Sequence, residues 1–353
     1  MSESLNIQKF NNLNTPEMPS VQSQGELFAG WLASDSNQSR TVELFDAIPK
    51  YVFDKKAKTT TRIEGIVREF EFRKVPYNVT ITPANIVRKG KFIGVYPGER
   101  EEIVTRGLLQ LTVQQRAKLR LGKDDKNNDT ISASFTLSQL RKHLQAFGHN
   151  YSLPQIDEAL RVCQDASIRL TCEDGSKKAM LSSGIFQSYS ALDEKGDKTG
   201  EGSYRHVVFN PLVTTSILEG TSRTINFERV MSLKSPLSRW LYDRLSHNFR
   251  QAVKGGAIGD KGYHISLSTI LRESGFTAEE QQRNNIKKVR AALAELKAQG
   301  VLDLMCPYKE ALTHGEKPAR GPAPVVDALW TIYPSRVLVD EIIRGNKEAK
   351  ELT

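Results

Sequence analysis

Four consecutive pieces decide the fold of this chain: His264-Ile-Ser-Leu-Ser-Thr-Ile270, a turn at Gly275, a long segment from Thr277 to Gln299, and Gly300-Val-Leu-Asp-Leu304. They read as a short strand, a Ser-capped helix, a turn, a longer helix and a second strand. In the long segment Ile286, Val289, Leu293 and Leu296 recur at 3-4-3 spacing, a narrow apolar stripe for packing. An earlier stretch repeats the order, with Ser134-Phe-Thr-Leu-Ser-Gln-Leu140, a helix to Gly148, a second helix from Leu153, and Ser167-Ile-Arg-Leu-Thr171. Leu137 and Leu140 match Leu267 and Ile270 at an offset of 130, while Ala159, Leu160 and Ile168 match Ala292, Leu293 and Val301 at an offset of 133.

Each copy leads to a return strand. In the first, Glu173-Asp-Gly-Ser176 precedes Ala179 to Phe186; in the second, a Gly/Pro-rich stretch at 313–324 precedes Val325 to Tyr333. A further helix from Ser235 to Ala252, with Leu237, Trp240, Leu241, Leu245 and Phe249 on one face, precedes the second copy. Three helices and a two-stranded hairpin is the winged-helix plan. The expected fold is therefore α+β, two tandem winged-helix domains at 41–225 and 226–353 behind a disordered arm at 1–40. The window from Glu99 to Leu121 reads as one more helix, carrying Ile103, Leu108, Leu111 and Leu119.

Charge separates the two copies. The 353 residues hold 50 Lys and Arg against 41 Asp and Glu, a net +9 that suits a polyanionic partner. The arm holds two basic residues against four acidic ones and is rich in Ser, Asn and Gln, which favours disorder. From Lys234 to Gly300 there are twelve basic residues and six acidic, whereas Thr130 to Gly175 holds four and five. On a helical wheel Asn284, Lys287 and Lys288 lie opposite the apolar stripe, with Arg283 and Arg290 on its flanks. That face fits a major groove, where Asn pairs with adenine, Arg or Lys with guanine, and other cations with phosphates. An ordinary solvated helix face is the competing reading. The matching helix of the first copy turns Ile156, Ala159, Leu160 and Cys163 inward and Asp157, Glu158, Arg161 and Asp165 outward, an acidic face that repels phosphate. Arg88, Lys89 and Lys91, in a window at 86–126 with ten basic and five acidic residues, make a basic lead-in for backbone contacts. Lys309, Lys317 and Arg320 stand in or beside the second wing, which either lies along phosphates or is a loop with incidental charge.

Leu237-Ser-Arg-Trp-Leu-Tyr-Asp-Arg-Leu245, Ser266 to Phe276, and Tyr96-Pro-Gly-Glu-Arg-Glu-Glu102 resemble plasmid replication initiator (Rep) proteins of the tandem winged-helix type, over residues 86–335. The resemblance implies binding to direct repeats (iterons) in duplex DNA at a plasmid origin, opening of adjacent A·T-rich DNA, and recruitment of host helicase, initiator or sliding clamp. It also implies a homodimer that represses its own gene, with the dimer contact on the first domain and base contacts on the second. A dimeric winged-helix repressor without initiator activity is the alternative. Gln24-Gly-Glu-Leu-Phe28 resembles the peptide by which bacterial proteins dock on the sliding clamp, through Gln24, Leu27 and Phe28, although Gly25 stands where an aliphatic residue is usual. A local apolar cluster folding back on the body is the other reading of that segment.

No enzymatic signature emerges. Gly255 to Gly262 lacks the spacing and hydroxyl of a phosphate loop, and the six histidines do not form a metal-binding pair. Acidic pairs at Asp124-Asp125 and Glu279-Glu280 read as a loop and a helix start, and Cys163 as a core residue. Three scattered cysteines exclude a disulfide scaffold, no apolar run approaches a membrane span, and the polar start is not signal-like. The expectation is a bacterial cytoplasmic protein without enzyme activity, metal or cofactor.

Overall fold

The computed structural model describes residues 38–41, 43–53, 59–60, 64–72, 75–113, 118–123, 129–174, 177–192, 204–218, 223–248, 262–317 and 323–351. The described residues open with β1 (Gln38–Thr41), α1 (Glu43–Ala47), β2 (Thr59–Thr60), β3 (Ile66–Phe72), β4 (Val75–Thr82), β5 (Ala84–Arg88), β6 (Lys91–Val95) and α2 (Glu99–Val113). After β7 (Lys118–Lys123), the first copy of the repeat runs as β8 (Asp129–Thr136), α3 (Leu137–Ala146), α4 (Leu153–Asp165), β9 (Ser167–Asp174) and β10 (Lys177–Ser183). Next come β11 (Phe186–Leu192), β12 (Tyr204–Phe209), α5 (Pro211–Leu218), β13 (Arg223–Asn226), α6 (Phe227–Ser232) and α7 (Pro236–Asn248). The second copy is β14 (Tyr263–Ser266), α8 (Leu267–Glu273), α9 (Gln282–Ala298), β15 (Tyr308–His314) and β16 (Val325–Ile332), closed by α10 (Arg336–Glu351).

This is a mixed α/β fold. Among the described residues every strand pair is antiparallel, in sheets ordered β10-β9-β4-β3, β11-β12-β8-β7, β14-β16-β15 and β2-β6-β5, with β1 paired to β13. One core gathers Ile81, Ile103, Leu108, Phe135, Leu140, Leu160 and Phe186; a second gathers Leu241, Tyr242, Leu293, Leu296 and Trp330. Helix α6 joins them, since Phe227 and Met231 pack into the first and Val230 into the second.

Local chemistry explains the helix starts. Thr136 and Ser152 cap α3 and α4 in reciprocal boxes with Gln139 and Gln155, and Ser266 accepts from the Thr269 amide at the start of α8. The two copies share the order of their elements but not their sheets. In the second copy β14 pairs with β16 of its own hairpin. In the first, β12 and β7 take both edges of β8, and the β9–β10 hairpin joins β4 instead.

Several sequence expectations are corrected. The helix from Glu99 stops at Val113, and Leu119 and Leu121 belong to β7, opposite buried Ala133 and Ile131. Lys118 to Leu121 alternates polar and apolar residues, a period of two that suits a strand edge. Gly300 to Leu304 forms no strand beyond a bridge from Leu302 to Pro334. The Asp303 carboxylate accepts from the Met305 and Cys306 amides, which turns the chain and delays the strand to Tyr308. The 40/41 boundary falls inside β1, whose Gln38 to Thr41 pair with β13. Phe249, Asp124, Asp125 and residues 1–37 lie outside the described residues.

Charged side chains lock the two units. The Arg239 guanidinium, 1% exposed, bonds Glu102 at 3.1 Å and Glu99 at 3.0 Å across the junction, and donates to the Leu233 carbonyl at 2.7 Å. Arg106 reaches the other way, to Asp243 at 2.5 Å, while holding Glu102 at 3.1 Å. Burial pushes the Glu102 carboxyl up, but Arg239 and Arg106 bring it below the usual range; at Asp243 burial outweighs Arg106 and the carboxyl is raised. Nearby Lys50 donates to the Phe45 carbonyl, and burial lowers its ammonium to about 8. A second stitch is Arg68, which donates to the carbonyls of Pro49, Tyr51 and Gly275 at 2.6, 2.8 and 3.0 Å. Gly275 sits at φ +78°, and a Cβ there would lie 2.7 Å from the Tyr51 carbonyl oxygen, so only glycine fits this turn.

Arg239→Ala strands Glu102 as a buried charge short of a partner. Chemical denaturation is expected to show a loss of about 3–5 kcal/mol, largely recovered in Glu102→Leu/Arg239→Met.

Candidate nucleic-acid interface

Helix α9 carries the candidate site, and its buried side shows how it is held. Ile286, Val289, Ala292, Leu293 and Leu296 pack into the second core, as the 3-4-3 stripe requires. The helix begins at Gln282 rather than Thr277, because buried Asn285 folds the approach into a loop. Its side chain accepts from the Glu279 amide at 2.9 Å and donates to the Glu279 carbonyl and Gln282 Oε1, each at 3.0 Å. Glu279 and Glu280 thus precede the helix instead of opening it. In the last turn the Glu295 carboxylate accepts from the Lys234 and Ser235 amides and from Ser238 Oγ, at 2.6, 3.2 and 2.5 Å, which fastens the start of α7. Asn285 and Glu295 are positioning residues that the wheel reading missed. An Asn beside the apolar stripe was the only sequence signal for the first.

Arg283, Asn284, Lys287, Lys288 and Arg290 are all exposed. Two of them have protein partners. Lys288 Nζ lies 2.6 Å from Glu279, a pair exposed on both sides and worth under about 1 kcal/mol. Arg290 grips Glu310 of β15 with two donors, Nε at 2.9 Å. Glu310 also accepts from Nε1 of buried Trp330 at 2.9 Å, so one carboxylate joins the helix, the hairpin and the core. The hydrogen bond from Arg290 holds Glu310 below the usual carboxylate range. Arg283, Asn284 and Lys287 stand on the same face.

The remaining expected residues are dispersed. Lys309 is exposed on β15 with its ammonium 5.7 Å from the Tyr333 ring centre, and Lys317 is exposed just past the strand. Arg320, Gln24, Leu27 and Phe28 lie outside the described residues. Lys89 and Lys91 are exposed at the β5–β6 turn, but Arg88 bends back to Glu158 on α4 at 2.6 Å. The acidic face expected on α4 is largely neutralised within the unit. Glu158 also bonds Arg100 at 2.8 Å, and Asp157 bonds Tyr189, Arg161 and Arg205. Apart from Arg161 on α4 itself, these partners come from β5, α2, β11 and β12, which the helix-by-helix comparison did not include.

Among the described residues no three His, Cys, Asp or Glu side chains converge as metal ligands, and no helix is long and apolar enough to cross a membrane. Cys163 is buried 3.5 Å from Thr105 Oγ1.

No protein-family model matches the chain, and no curated protein matches it. Among solved structures it is similar to domains 2 and 3 of RctB, as selenomethionine derivatives, at 13% identity and a TM-score of 0.46 over 83% of this chain and 98% of that one. A second structure of RctB domains 2–3, covering its residues 155–483, gives 12% identity and a TM-score of 0.42 over 85% and 99%.

Glu310→Ala orphans the buried Trp330 N–H and is expected to cost about 1–3 kcal/mol in thermal or chemical unfolding. Arg290→Ala, which removes only the exposed partner, should cost under about 1 kcal/mol in the same measurement.

Proposed function

We propose that the chain is a sequence-specific DNA-binding protein that initiates plasmid replication, built as two winged helices of which the second reads duplex DNA. The observation that carries the reading is the α9 face, where Arg283, Asn284 and Lys287 project from a helix held on its opposite side by an apolar stripe. The order helix, strand, helix, helix, hairpin around α9, with β14 paired to β16, supports the winged-helix assignment of this unit. Base contacts fall to Asn284 and Arg283, phosphate contacts to Lys287 and Lys288, and the β15–β16 hairpin brings Lys309 and Lys317 to the flanking backbone. Arg290 acts chiefly as the strut that sets the hairpin against the helix.

The first unit, in which α4 is covered and its carboxylates neutralised, provides the dimer contact and backbone contacts through Lys89 and Lys91. Repeated origin sites, opening of neighbouring A·T-rich DNA, autorepression as a dimer, docking of Gln24, Leu27 and Phe28 on the sliding clamp, and a bacterial cytoplasmic setting complete the proposal, which the sequence resemblance supports. No catalytic step is assigned.

Asn284→Ala is expected to relax base preference with little change in non-specific affinity. Lys287→Ala should weaken binding to all sequences and lower the salt slope by about 1. Selection from random DNA and salt titrations by fluorescence anisotropy check both; the reverse pattern overturns the docking of α9. Deleting residues 20–32 should spare DNA binding and abolish plasmid replication in cells. Replication that persists would favour a simple repressor.

A further inference from the structure

The β5–β6 hairpin presents an apolar pair and a basic tip whose use the α9 reading does not explain. One side of the hairpin is anchored. Ala84, Ile86 and Val95 form a small separate core with Val162 and Ala166 at the end of α4, and Arg88 is tied to Glu158. On the opposite side Val87 and Phe92 are cross-strand partners, 58% and 72% exposed. The turn between the strands is Lys89-Gly90, at φ +50° and +73°. Such a turn favours Asn or Gly at its first central position, and Lys89 is the one residue other than glycine with positive φ among the described residues. The strain holds an ammonium at the tip, with exposed Lys91 beside it.

Size and charge choose the occupant. Two side chains fall far short of the roughly 800 Å² per partner of a stable protein interface, and the paired cations oppose docking of a second copy. One phenyl ring with the Lys89 ammonium at the adjoining turn matches one base and its phosphate. In a duplex the base faces are already stacked, and prying a step apart costs more than a single ring returns. An unpaired base carries no such cost.

We propose that the hairpin Ala84–Val95 binds single-stranded DNA, with Phe92 stacked on an unpaired base over Val87 and Lys89 on the adjoining phosphate. The inference deepens the proposed origin opening, and rests on it for its biological setting, by assigning a place where a separated strand is held.

The test uses the full chain and two probes, labelled oligothymidylate and the duplex site selected above. Phe92→Ala should weaken oligothymidylate binding about ten-fold while leaving duplex affinity unchanged, and Phe92→Tyr should restore it. Lys89→Ala should flatten the salt dependence of oligothymidylate binding. Because Phe92 projects from the surface, circular dichroism should show both Phe92 variants folded. Unchanged single-strand affinity in Phe92→Ala, no binding by the parent protein, or an equal loss on duplex would each overturn the proposal. Lys287→Ala, read on the duplex, reports separately on α9.

Discussion

A buried charge cluster holds the two halves of this protein in register. Arg239 from α7 enters the carboxylates of α2, and Arg106 from α2 enters the carboxylate of Asp243 on α7. The exchange is reciprocal. Turning one unit against the other would strand charges of both signs in a dry junction, at about 3–5 kcal/mol for each broken pair. Exposed pairs such as Lys288 with Glu279 impose no comparable constraint. The Arg68 bridge to the Gly275 carbonyl and the stacking of Phe53 on Phe276, with centroids 5.1 Å apart, extend the lock to the turn before α9. Whatever α9 binds is thereby presented at a set angle to the first unit.

The two copies of the repeat have parted by what surrounds them. The second helix of the first copy has β5, β11 and β12 against it, and their arginines and tyrosine engage its Asp157 and Glu158, while Asp165 stays exposed. Extra strands on both edges of β8 draw it away from its own hairpin. The second copy has no such additions among the described residues, so α9 keeps an open polar face and its hairpin stays with β14. A common element order thus yields a covered helix in one unit and an accessible one in the other.

Within the second unit, carboxylates work as braces. Glu295 fixes α7 to the end of α9, and Glu310 fixes α9 to β15 and to Trp330. Two acidic residues in a basic region look like a handicap for binding an anion. Both are spent on internal donors, which leaves Arg283, Asn284 and Lys287 as the outward chemistry of the helix. The β5–β6 hairpin follows the same logic, with Glu158 engaging Arg88 while Lys89 and Lys91 stay exposed.

Much of the fold was legible in local pattern. The Ser/Thr cap of the first helix in each copy marked its start, found at Thr136 and Ser266, and the stripe from Ile286 to Leu296 showed which face of α9 is buried. These signals are local because capping and helical period depend on residues a few positions apart. Other features were beyond reading. Lys118 to Leu121 looked like the tail of a helix until β8 lay beside it, and Asp303 looked like part of a strand until it bonded the amides of its own turn. Arg239, Arg106 and Glu310 carry no local signal of their roles, since their partners are 137, 137 and 20 residues away. The sequence by itself determined where the Ser/Thr-capped helices begin, which stripe α9 buries and which copy is basic. Only the tertiary structure decided which strands pair, which charges are neutralised and which face is left for a partner, because those depend on groups that meet only when the chain closes.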